Sequence, residues 1–141
     1  MKKRKKVLVV DDEPDFLKII RKRLETSHYE VITAASGKEA LDKIKKDKPD
    51  AVFLDILMPE LDGLETLKKI RRKAKDLPVF IITAFSNEER FKLAKHLKAS
   101  GFVIKTSNLK REIESITGAL RISGRYKGRR SNRQKTKDEK Q

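Results

Sequence analysis

The sequence predicts a doubly wound α/β fold, a parallel sheet of five strands with helices on both faces. Three observations carry that prediction. Five short apolar runs alternate along the chain with five segments whose apolar residues recur every three or four positions, so strand and helix periods take turns. The runs Val7 to Val10, Ala51 to Leu54 and Val79 to Ile82 are continuously apolar, as strands covered on both faces are. Strands separated by helical segments must run parallel, because only a crossover connection returns the chain to the same edge of the sheet.

The first strand runs from Lys6 to Val10 and ends in Asp11-Asp12, and Pro14 follows where the first turn of a helix needs no amide hydrogen. Phe16, Ile20 and Leu24 give that helix its buried stripe. Tyr29 to Ala34, β-branched and aromatic, is the second strand. Ser36-Gly37-Lys38-Glu39 has the spacing of a capping box, opening a helix with Ala40, Leu41 and Ile44 inside, and Pro49 closes the unit. The third strand, Ala51 to Leu54, delivers Asp55 at its carboxyl end. Pro59 stops it, and Asp62-Gly63 supplies turn residues before Leu64, Leu67, Ile70 and Ala74 mark a third helix. Pro78 precedes the fourth strand, Val79 to Thr83. Ser86 to Glu89 repeats the capping-box spacing, and Phe91, Leu93, Ala94 and Leu97 are the predicted buried side of the fourth helix. Gly101 separates it from the fifth strand, Phe102-Val103-Ile104, which ends in Lys105. Asn108 is placed to cap a last helix carrying Leu109, Ile113, Ile116 and Leu120.

A chain of 141 residues allows one domain with a real core and no second of ordinary size. There is no cysteine, which excludes disulfides and thiolate metal sites and fits a reducing cytoplasm. The apolar run behind the basic start is cut off at once by Asp11-Asp12-Glu13, so neither an export segment nor a membrane span is expected. Of the net charge of +15, residues 2–6 carry +5 and residues 121–141 carry +7, leaving +3 for the middle. The extreme charge therefore belongs to two arms. Residues 121–141 have almost no apolar side chains and cannot bury a core, so this stretch is expected to be disordered. The organisation predicted is a basic arm over residues 1–4, a domain over 5–122 and a basic tail over 123–141.

Asp11, Asp12, Asp55, Thr83 and Lys105 all fall at the carboxyl ends of predicted strands, where open parallel sheets bind ligands. Singly they are ordinary: the first acids would suit a helix N-terminus, and Thr83 and Lys105 would pass as strand-end residues. Together they are a site. Carboxylates about 4 Å apart repel by about 4 kcal/mol per pair at an effective dielectric of about 20, so the cluster must gain protons or a cation. A hard divalent ion such as magnesium suits a few carboxylates with water and phosphate oxygens, and Lys105 and Thr83 add a charge and a hydroxyl donor. These parts suit phosphoryl transfer, which rests mainly on positioning and charge neutralisation. His28 and His96 have no partners at ligand spacing.

Asp11-Asp12 after the first strand, Asp55 followed by Met58-Pro59 and Asp62-Gly63, Thr83-Ala84 after the fourth strand and Lys105 after the fifth resemble the receiver domain of two-component response regulators, in its stand-alone, CheY-like form. The resemblance covers residues 5–122. It implies a flavodoxin-like strand order 2-1-3-4-5. It further implies that Asp55 accepts a phosphoryl group, that Asp12 and Asp55 ligate Mg2+ with Asp11 acting through the ion's water shell, and that Leu57 gives the metal a backbone carbonyl. Thr83 would bind a phosphoryl oxygen through its hydroxyl, Ala84 through its amide and Lys105 through its charge. Such a protein catalyses its own phosphorylation and dephosphorylation rather than acting as a conventional enzyme. The family usually has proline after the lysine, often with a cis bond, where this chain has Thr106; a non-proline cis bond costs roughly 2.5 to 4 kcal/mol, so that loop is expected to be trans or strained.

The resemblance also makes Thr83 and Phe102 a switch pair, with the Phe102 ring turning inward as the Thr83 hydroxyl moves to the phosphoryl group. Phe102 lacks the hydroxyl of the tyrosine often found there, and burying the ring is worth roughly 1.5 to 3 kcal/mol, so the unphosphorylated protein is expected to sample the active face. Expected partners are a sensor histidine kinase or phosphotransfer protein and a downstream protein at the face over residues 87–122, which would also carry self-pairing into a homodimer. Two functional classes follow: a cytoplasmic phosphoacceptor signalling protein, and a nucleic-acid-binding protein that uses the same fold as scaffold or regulator. In the second, the basic arms would make weak, nonspecific, salt-sensitive contact with nucleic acid.

Overall fold

Four consecutive residues of the first strand, Val7 to Val10, have no exposed surface. Successive strand residues point to opposite faces, so a run of this kind is buried only where layers cover both. In the computed structural model, which describes residues 4–56, 63–83, 88–105 and 110–122, those layers are helices. The elements alternate in chain order: β1 (Lys6–Val10), α1 (Pro14–Thr26), β2 (Glu30–Ala34), α2 (Gly37–Asp47), β3 (Ala51–Asp55), α3 (Gly63–Lys73), β4 (Val79–Thr83), α4 (Glu88–His96) and β5 (Gly101–Ile104), followed by α5 over residues 110–122. All strand pairs are parallel and the order is β2-β1-β3-β4-β5, the doubly wound arrangement expected.

Alternate residues of the strands build two cores. Val7, Val9, Phe53, Phe80, Ile82 and Val103 pack under α1 and α5, whose Ile20, Leu24, Ile116 and Leu120 face them. Leu8, Val10, Val52, Leu54, Val79 and Ile81 pack under α2, α3 and α4. Phe53 and Phe80, paired across β3 and β4, stack with ring centroids 5.1 Å apart. Gly101 is the next partner of Phe80 across the sheet, and a Cβ there would meet that ring at 3.0 Å. The glycine makes room for the aromatic pair.

The Ser36 hydroxyl accepts from the Glu39 amide, as the capping box predicts, but the Glu39 carboxylate reaches back to the amide of Ala35 rather than that of Ser36. Leu93, predicted buried, is exposed. α4 covers the sheet near its edge and turns only a narrow stripe inward: Ala94 is buried, with Phe91 and Leu97 partly so. His28, Lys48 and Lys98 adopt left-handed backbone just past α1, α2 and α4, where glycine usually sits. Arg71 ties two of the chain reversals together, donating to the carbonyls of Ala74 and Leu77 after α3 and of Lys98 after α4. Residues 1–3, 57–62, 84–87, 106–109 and 123–141, and with them the expectations for Ser86, Asn108, Leu109 and the basic tail, lie outside the described residues.

Candidate functional site

The strand order reverses between β1 and β3, and the register of those strands pairs Val10 with Leu54. The next residues, Asp11 and Asp55, therefore leave the sheet side by side at its switch point. Both are buried, whereas Asp12 is exposed. One carboxylate oxygen from each of Asp11, Asp12 and Asp55 lies within 4.8 Å of the others. An adjacent pair of acids and a third more than forty residues away thus meet because parallel strands end at one edge.

Lys105 enters from the end of β5, held by its amide on the carbonyl of Thr83, 2.7 Å away. Its Nζ lies 2.9 Å from Asp11 Oδ2, 2.6 Å from Glu13 Oε1 and 4.0 Å from Asp55 Oδ2. The same ammonium sits 4.6 Å from the centre of the Phe16 ring. Asp11 Oδ1 accepts from the amide of Glu13 at 2.9 Å, so both oxygens of that buried acid are engaged. Thr83, buried at the end of β4, stands one residue beyond the β4 partner of Asp55.

Burial raises the pKa of the Asp11 carboxyl, and the hydrogen bonds from Lys105 and the Glu13 amide offset that only in part. For Lys105, burial acts to lower the pKa, yet hydrogen bonds to Glu13 and Asp11 and the charges of Asp11 and Asp55 outweigh it and raise it. The ammonium is therefore locked in its charged form. Among the described residues, one cation among four carboxylates leaves the pocket short of positive charge, and the donors are all oxygens, with an exposed side at Asp12. That donor set fits a hard divalent cation completed by water or phosphate oxygens.

Of the residues singled out from the sequence, Asp11, Asp12, Asp55, Thr83 and Lys105 are brought to one edge of the sheet. Leu57, Ala84 and Thr106 lie outside the described residues. Sequence reasoning missed Glu13 as a partner of Lys105 and Phe16 as the ring beneath it. Their signal was positional: they fall at the N-cap and first turn of α1, immediately after the paired acids. It also took Gly63 for a turn residue, but no described glycine has positive φ. Gly63 opens α3 against the backbone of Asp55 and Ile56, with its amide on the Ile56 carbonyl at 3.3 Å. Phe102 is half-buried, its ring 4.8 Å from that of Phe91 on α4.

A family model described as the response regulator receiver domain matches residues 7–117. The chain belongs to that family. This receiver domain is 37% identical over 119 residues to the alkaline phosphatase synthesis transcriptional regulatory protein PhoP of Bacillus subtilis, covering 84% of this chain and 50% of that protein. It is 46% identical over 79 residues to the response regulator MprA of Mycolicibacterium vanbaalenii, covering 56% of this chain and 34% of that one. The chain thus spans half or less of these curated relatives. Among solved structures, the receiver domain superposes on the chemotaxis protein CheY4 of Vibrio cholerae with a TM-score of 0.75 and 31% identity, covering 82% of this chain and 98% of that one. The response regulator TrrA of Thermotoga maritima, solved in complex with Mg2+-BeF, matches with a TM-score of 0.70 and 38% identity over 81% of this chain and 97% of that one.

Proposed function

We propose that this receiver domain is a phosphoacceptor. Asp55 takes a phosphoryl group from the phosphohistidine of a sensor histidine kinase or phosphotransfer protein, and the resulting surface change is passed to a partner protein. The observation that carries the reading is the ammonium of Lys105, fixed 4.0 Å from Asp55 Oδ2 among buried carboxylates. A carboxylate oxygen of Asp55 forms the new bond to phosphorus as the bond to the histidine nitrogen breaks, and the imidazole leaves to be protonated by solvent. Lys105 then balances charge on the phosphoryl oxygens, and the Thr83 hydroxyl and Ala84 amide donate to them. Asp12, Asp55 and the Leu57 carbonyl, with Asp11 through water, would hold Mg2+, which would supply charge neutralisation for the transfer.

Output is read through Phe102. Its contact with the Phe91 ring couples β5 to α4, and beside it a hollow of about 330 Å3 between β5 and α5 is lined by Phe102, Ile104, Arg111 and Glu112. The face over residues 87–122 is the surface assigned to the downstream partner or a second copy. The basic stretches over residues 1–4 and 123–141 are assigned no part in the phosphoryl chemistry.

The test is intact-mass measurement after incubation with a small acyl phosphate and Mg2+. One added phosphoryl group is expected, absent in Asp55→Asn and suppressed by chelator. Equal labelling of Asp55→Asn would overturn the assignment.

A further inference from the structure

The largely apolar groove between α2 and α3 faces away from the phosphoacceptor edge. Helices in crossover connections run antiparallel to the strands, so the C-terminal halves of α2 and α3 lie at the far end of the sheet from Asp55. Leu41 and Ile44 from α2 and Ile70 and Ala74 from the α3 side form its floor, enclosing about 490 Å3. Its rims are cationic on both sides: Lys45 in the last turn of α2 with Lys48 just past it, and Lys69, Arg72 and Lys73 in the C-terminal half of α3, all of them exposed. Among the described residues, no acidic side chain lines it. Basic residues in a helix's last turn favour its negative end, but that preference does not explain an aliphatic floor left open between them.

We infer that this groove docks an acidic amphipathic helix of a partner protein. Such a helix presents apolar residues at i, i+3 or i+4 and i+7 along one stripe, flanked on both sides by carboxylates, and this matches an aliphatic floor with two cationic rims. The floor residues fall at spacings of three on α2 and four from α3 into the residue just past it, so they accept about two turns of a third helix packed ridge into groove. A nucleic-acid strand would satisfy the rims and leave the floor uncovered, since among the described residues no aromatic ring lines it for base stacking. The chain itself is a poor occupant: its net charge is +15, and both basic terminal stretches share the sign of the rims. Because the groove and Asp55 lie at opposite ends of the sheet, docking here is independent of the phosphoacceptor reading.

The experiment uses the full chain and a fluorescein-labelled peptide of about fifteen residues, long enough for helix formation, with leucines on one stripe and glutamates beside it. Fluorescence anisotropy is expected to give saturable binding. A peptide of the same composition with the leucines scattered around the helix should bind about tenfold more weakly, as should the exposed-rim variant Lys45→Glu/Arg72→Glu. A lysine-for-glutamate version of the peptide should bind that variant better than the unaltered chain, which separates charge recognition from loss of folding. No saturable binding, equal binding of the striped and scattered peptides, or stronger binding of a single-stranded oligonucleotide of equal charge would overturn the inference.

Discussion

A Cβ on Gly63 would stand 2.3 Å from the carbonyl oxygen of Asp55 and 2.4 Å from Cα of Ile56. The first turn of α3 thus packs directly on the backbone of the proposed phosphoacceptor, with space for a hydrogen and nothing larger. Both obstacles are main chain and cannot rotate away. Gly63→Ala is expected to cost about 1 to 3 kcal/mol of stability through overpacking, and to slow phosphorylation by shifting Asp55. Urea unfolding reads the first effect and acyl-phosphate labelling the second. A variant within about 0.5 kcal/mol of the parent would contradict the packing argument.

Lys105 is the cation shared by Asp11, Glu13 and Asp55. Lys105→Met leaves a fully buried Asp11 without it, a loss of about 3 kcal/mol or more if nothing else moves. Added Mg2+ should therefore raise the urea midpoint of Lys105→Met by more than it raises that of the parent, because the ion restores charge that the parent already has. Equal increments in both proteins would count against a shared acidic pocket.

The Glu39 carboxyl is held below its ordinary pKa of 4.5, first by the hydrogen bond from the Ala35 amide and then by Lys43. A carboxyl lowered on folding stabilises fully above its unfolded pKa, and that contribution is lost as pH falls through the folded value. The stability difference between the parent and Glu39→Gln should be constant above about pH 5 and shrink as the pH drops below 4.5. Denaturant titrations from pH 3 to 7, about the range spanned by the transition, check this. A difference that grows on acidification would reverse the assignment.

Strands were legible where burial on both faces leaves an unbroken apolar run. β1 and β4 have the predicted bounds, while β3 extends by one residue to include Asp55 and β2 starts at Glu30 rather than Tyr29. Helix starts were legible through Pro14 and the Ser36–Glu39 pair, because capping uses side chains that the sequence displays. Helix ends were not, since His28, Lys48 and Lys98 take the left-handed positions without glycine to announce them. Leu93 misled because a stripe of apolar residues does not reveal how wide a face the sheet leaves for it. In the site, residues at strand ends could be assembled from order alone. The Glu13 and Phe16 contacts with Lys105 depend on the angle at which α1 leaves β1, which no local pattern encodes.

The most direct test of the central claim locates the modified residue. After labelling with a small acyl phosphate and Mg2+, borohydride reduces a carboxyl phosphate to the corresponding alcohol, marking the acceptor permanently for peptide mass spectrometry. The account predicts that the reduced residue is Asp55 alone, with Asp11 and Asp12 unmodified. Reduction at Asp11 or Asp12 in place of Asp55, or the same marked peptide from the Asp55→Asn protein, would contradict it.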